Sequence, residues 1–193
     1  MNESTPRGSE GTGNDRAVGA RVPRWIAAGL MATVVMDIGA GITKATGLTR
    51  GLTFEVLAKW FHLVAQGNVF VADVRTADVT PLGMPFPLLI HYAIGTTFAV
   101  VFGFIARSRA WPRIPFWAPL VFGISTTLVP ALFMFPAMGF GLFGQGAPPE
   151  WILFRSSLVN HMYFGLGLAL ATRVLFRATN KQGSGALPAS RTA

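Results

Sequence analysis

The stretch PLLIHYAIGTTFAVVFGFIA, residues 87–106, decides the fold. It carries no Asp, Glu, Lys or Arg over about twenty residues, the length a helix needs to cross a bilayer. Apolar stretches of similar length recur at 25–43, 116–135 and 157–176. Pro119 falls in the first turn of the third stretch, where proline is tolerated, and Pro136 follows its end. The reading is an all-α integral membrane protein, a bundle of four transmembrane helices.

Composition agrees. The chain is 51% hydrophobic and 12% charged, whereas a soluble domain carries about 25% charged residues. A net charge of +8 would suggest nucleic acid in a soluble protein. Here the basic residues gather at the borders of apolar stretches, so the bilayer is the expected partner and nucleic acid is not. The absence of cysteine excludes disulfides, thiolate metal sites and Cys nucleophiles.

Residues 1–22 and 178–193 are polar, with too little apolar content to bury a core, and read as disordered tails. The membrane domain occupies 23–177. Its first span resembles a signal peptide in position, but Asp37 interrupts it and no small-residue cleavage site follows, so it reads as a retained helix. Eleven of the 16 Lys and Arg residues lie in the two tails, at the adjoining span ends (Arg24, Arg173 and Arg177) and in the loop holding Arg107, Arg109 and Arg113. The positive-inside rule then places both termini in the cytoplasm of an inner-membrane protein.

The first external loop, about 44–86, is too long to lack structure. Phe54, Leu57, Ala58, Phe61, Val64 and Ala65 follow helical spacing, with Glu55, Lys59, His62 and Gln66 opposite. This predicts an amphipathic helix in the interface or over the outer end of the bundle, with Trp60 as an interfacial anchor. Gly139 to Gly144 reads as a re-entrant or interfacial turn, and Glu150 and Arg155 as an ion pair. Ser156 and Ser157 suit the cap of the fourth helix.

Ionisable groups inside apolar helices are expensive and must pair, line a cavity or do chemistry. The pattern His-x-x-x-Gly-x-x-x-Ala occurs twice, as His91, Gly95, Ala99 and as His161, Gly165, Ala169. At about 1.5 Å per residue, both histidines lie roughly 6 Å inside the outer end of their spans and Asp37 roughly 9 Å inside its own. Pro130 interrupts span three at a similar depth and should free the carbonyl of Thr126. Gly29, Thr33, Asp37 and Gly41 form one stripe of four-residue spacing; His91, Gly95, Ala99 and Gly103 form another. Such small residues let membrane helices approach closely.

Three readings of Asp37, His91, His161 and Thr126 compete. In the first they fix helix packing only, as in a structural or partner subunit. In the second, Asp37, His91 and His161 hold a divalent transition metal or a proton, since imidazole and carboxylate suit such ions. A metal-dependent enzyme, with the metal as Lewis acid, is the catalytic version; no catalytic residue is assigned and a non-enzymatic role is preferred. In the third they line an outward-facing pocket for a small solute. Four short spans make a narrow bundle, so a transport path calls for a homodimer, with Gly95, Ala99 and Gly103 as its face.

The chain also resembles an uncharacterised bacterial family of four-span membrane proteins, a domain of unknown function. The resemblance rests on Ala32-Thr33-Val34-Val35-Met36-Asp37, on His91-Tyr92-Ala93-Ile94-Gly95 with Phe98-Ala99, and on Met134-Phe135-Pro136-Ala137-Met138-Gly139. It continues through Arg155-Ser156-Ser157-Leu158 and HMYFGLGL from His161 to Leu168. It implies a four-helix membrane fold in which Asp37, His91 and His161 belong to the shared pattern. It implies no activity. The family commonly has glutamine where Phe135 stands, and Gly-Arg-Trp where this chain has Ala58-Lys59-Trp60, so a polar role for the 134–136 corner does not carry over.

Overall fold

A computed structural model describes residues 22–108 and 114–182; the expected disordered tails lie outside them, apart from Val22 and residues 178–182. The elements are α1 (Val22–Ala45), α2 (Phe54–Ala65), α3 (Pro85–Ser108), α4 (Trp117–Ser125), a π-helical turn (Pro130–Met134), α5 (Phe135–Ala137), a 3-10 turn (Leu142–Gly144) and α6 (Ile152–Gln182). Among the described residues four segments are long and apolar enough to cross a membrane: Val22–Ala45, Pro85–Arg107, Trp117–Ala137 and Ile152–Phe176. Each starts or ends a few residues beyond the expected limits. The largest shift is in α6, which begins before Ser156 and Ser157, so these serines lie inside the helix rather than at its cap.

Helix α1 is central, packed on α3 along one side and on α6 along the other, while α4 packs on α6. Glycine sets the spacing at each crossing. A side chain at Gly29 would meet the Thr96 backbone, one at Gly95 would meet Thr33, and one at Gly103 would lie on the Trp25 ring. Ala99 is fully buried as well. The stripe of α3 assigned above to a dimer face is therefore occupied by α1 of the same chain. At the other crossing, Gly123 of α4 lies directly on the backbone of Gly165. Trp25, Phe102, Phe164 and Leu168 fill the core between these contacts.

The α1 stripe holds only in part. Gly29 and Thr33 are buried, but Gly41 has nothing within 4 Å of where its side chain would begin. Four-residue steps advance about 400°, so three of them drift about 120° around the helix. The packed line passes instead through Gly39, against Tyr163, and Thr43.

Proline reshapes span three without leaving the Thr126 carbonyl free: it accepts the Val129 N–H at 3.1 Å. The Phe135 N–H then reaches back to the Pro130 carbonyl, the five-residue step of a π-helix.

The two long connections, 46–84 and 138–151, meet at the end of the bundle where α1 finishes and α6 begins, and build a second core. Trp60, Leu63, Val74, Phe135, Met138, Phe140, Ile152 and Leu153 are buried in it. The Val71 and Val74 N–H groups donate to the carbonyls of Ala137 and Met138 at 2.9 and 3.0 Å. Gly139, at φ +85°, sits where a side chain would run into the Ala72 carbonyl. The glycine-rich turn is thus a packed part of this cap.

Helix α2 is the expected amphipathic helix. Thr53 caps it, its hydroxyl accepting the Val56 N–H at 3.3 Å. Its apolar side faces the cap and the start of α3, where Phe61 meets Phe86 edge to face. Trp60 is 6% exposed and donates its indole N–H to the Val69 carbonyl, so it is a core residue rather than an interfacial anchor. His62 faces the Thr80 carbonyl through Nδ1 at 2.7 Å, so Nδ1 carries the hydrogen and Nε2 accepts from Gln66.

Candidate functional site

Asp37 stands eight residues before the end of α1, about 12 Å along the helix. Both of its oxygens are held by consecutive residues of α3. His91 Nε2 lies 2.9 Å from Oδ1, and the Tyr92 hydroxyl donates to Oδ2 at 2.9 Å. A donor facing a carboxylate fixes the hydrogen on Nε2, which leaves Nδ1 of a neutral His91 as an acceptor. The ring of Phe54, from α2, meets the His91 ring edge to face at 5.8 Å. Helix α2 therefore covers one side of the cluster. The cluster remains open: the Asp37 side chain is 34% exposed and that of His91 23%.

His161 joins a different partner. Its Nδ1 lies 2.7 Å from the hydroxyl of Thr126, which also bonds the Gly123 carbonyl at 2.6 Å. With the threonine hydrogen on Gly123, His161 donates from Nδ1 and keeps Nε2 as an acceptor. The rings of Phe98 and His161 are 6.4 Å apart. Nearby in sequence, the Thr127 hydroxyl and Asn160 Oδ1 are buried without a hydrogen-bond partner.

The four residues singled out in the sequence thus form two pairs rather than one centre. Among the described residues, no group of three or more His, Asp or Glu side chains is placed to hold a metal ion. The expected ligand set of Asp37, His91 and His161 is not assembled, because Thr126 engages His161 while Tyr92 takes the second oxygen of Asp37. A side chain at Gly165 would meet the backbone of Pro119 and Leu120, and Ala169 is buried.

Tyr92 is the site residue that sequence reasoning missed. Its signal was a phenol inside an apolar span, directly after an intramembrane histidine. A further ion pair joins Asp73 and Arg75 in the cap at 2.8 Å. The Arg75 guanidinium, bonded to both carboxylate oxygens, holds the Asp73 carboxyl below the usual carboxylate range. Among the described residues no ion pair joins Glu150 and Arg155.

Four apolar spans, joined to a packed cap and carrying a hydrogen-bonded polar cluster, define a multi-pass membrane protein. The chain belongs to the DUF2938 family, described as a protein of unknown function, whose model matches residues 26–175. That match takes in the cap, the second and third spans, and all but the outermost residues of the first and fourth. No curated protein and no solved structure matches it.

Proposed function

We propose that Asp37, His91 and Tyr92 form a pocket, open away from the cytoplasm, that binds a small cation or a solute presenting a cationic group. The observation carrying this reading is the Asp37 side chain, 34% exposed although it lies inside an apolar span. A carboxylate offers about four lone-pair positions, of which His91 and Tyr92 occupy two. With Nδ1 of His91 the free groups are acceptors, so the pocket suits a donor or a positive charge. Phe54 and α2 form its rim.

The test is equilibrium binding of Zn²⁺, Mn²⁺ and guanidinium to the untagged full-length protein in mild detergent. Asp37→Asn and His91→Gln should each weaken binding at least about tenfold, the loss of one charge-assisted contact. His62→Gln, in the cap, should leave it unchanged. No binding, or equal binding by all variants, removes the pocket and favours the second reading, a cluster that only fixes helix register. The hydrogen bond already held by each oxygen of Asp37 and the His161–Thr126 bond favour that alternative. Such bonds average about 0.6 kcal/mol in membrane proteins.

The pocket opens outward if both termini are cytoplasmic in an inner membrane, as the distribution of Lys and Arg supports. The natural chain has no cysteine, so single cysteines report topology cleanly. In intact cells stripped of outer barriers, an impermeant maleimide should label Asn68→Cys and spare Ser190→Cys until the membrane is permeabilised. The reverse pattern would invert the protein and place the pocket on the cytoplasmic side.

A further inference from the structure

We infer that a cleft in the cap binds the phosphate headgroup of an anionic lipid. The cleft, of about 180 Å³, lies between the two long connections and the starts of α2 and α6. Two residues on its wall carry charge, Arg50 and Arg75, and both are positive. Arg75 is already ordered, bonded to Asp73 and lying over the Phe140 ring at 5.1 Å. The Arg50 guanidinium has no hydrogen-bond or ion-pair partner among the described residues, though its backbone N–H is anchored on Ser156 Oγ at 3.0 Å. An exposed cation on an anchored backbone, beside a second arginine whose charge is shared with Asp73, offers free N–H donors to phosphate oxygens.

The rest of the wall selects the kind of phosphate. Leu52, Val56, Phe140 and Ile152 make it largely apolar, which suits the glycerol end of a lipid better than a free, fully hydrated ion. The cleft is smaller than the roughly 300 Å³ of pockets that enclose drug-sized ligands, so it takes a headgroup and leaves the acyl chains in the bilayer. Its place fits, because α6 enters the membrane from Ile152 on this wall. The exposed Trp151 and neighbouring Phe154 rings, 6.3 Å apart, suit the interfacial layer where headgroups lie.

The experiment is native mass spectrometry of the full-length protein released from detergent with equal amounts of phosphatidylglycerol and phosphatidylcholine. The wild type should retain the anionic lipid about tenfold more, and Arg50→Ala should lose about that preference, the effect of one charge-assisted contact. Arg50→Lys should restore part of it. Lys44→Ala removes another exposed cation near the same membrane face and should change nothing. Equal retention of the two lipids, an unchanged Arg50→Ala, or an equal loss in Lys44→Ala would overturn the assignment. So would saturation by inorganic phosphate without any preference for phosphatidylglycerol, which would make the site one for the free ion.

Discussion

Gly123→Val should destabilise the protein by about 3 kcal/mol, the upper end of what overpacking usually costs. The reason is what the new side chain would strike. Beside Gly123 lie the backbone atoms of Gly165 and the carbonyl of His161, and backbone cannot move aside by changing rotamer. The helices must separate, and with them the Thr126 hydroxyl and His161 Nδ1, now 2.7 Å apart. Membrane helices associate through close packing rather than hydrophobic burial, so little else compensates. Unfolding in mixed detergent micelles, followed by circular dichroism, measures the loss. Gly41→Val is the matched control: nothing stands within 4 Å of it, and its effect should stay within about 0.5 kcal/mol. Equal effects at the two glycines would contradict the α4–α6 crossing described above.

Trp60→Ala should cost about 3–5 kcal/mol, the range for deleting a buried aromatic side chain. The ring is 6% exposed among Leu63, Val74 and Phe140, and its N–H is bonded to the Val69 carbonyl. Losing it opens a cavity in the cap and removes the bond to the part-buried Val69 carbonyl. The damage should be local, since the cap core is separate from the packing of α1, α3 and α6. Limited proteolysis should therefore cut within 46–84 in the variant, while the spans stay protected. An interfacial anchor would behave otherwise: its removal would leave the cap intact and the cleavage pattern unchanged.

Trp60 also shows where sequence reasoning stops. Its neighbours Leu57, Phe61 and Val64 have the spacing of one apolar face, and Trp60 falls off that face. An exposed position beside a membrane suits a tryptophan, hence the anchor reading. It is buried because the connection 138–151, about eighty residues later, supplies a second surface for α2 to pack against. No local pattern encodes that encounter. The same holds for the α3 stripe of Gly95, Ala99 and Gly103. Its small residues announced a close contact, and the structure gave the partner as α1 rather than a second copy.

Sequence alone determined the class, the number of spans, the amphipathic helix and the presence of Asp37, His91 and His161 inside apolar spans. Each follows from a local cause: run length against bilayer thickness, helical spacing of apolar residues, and the expense of charge in hydrocarbon. Depth counting brought the polar residues to a common region, but height along a helix does not fix the direction of a side chain around it. Only the tertiary structure decided that Asp37 meets His91 and Tyr92 while His161 turns to Thr126. It also decided that two loops distant in sequence close into one cap over them. Pairing depends on which helices are neighbours and how each is rotated, and those are set by all the glycine contacts acting together.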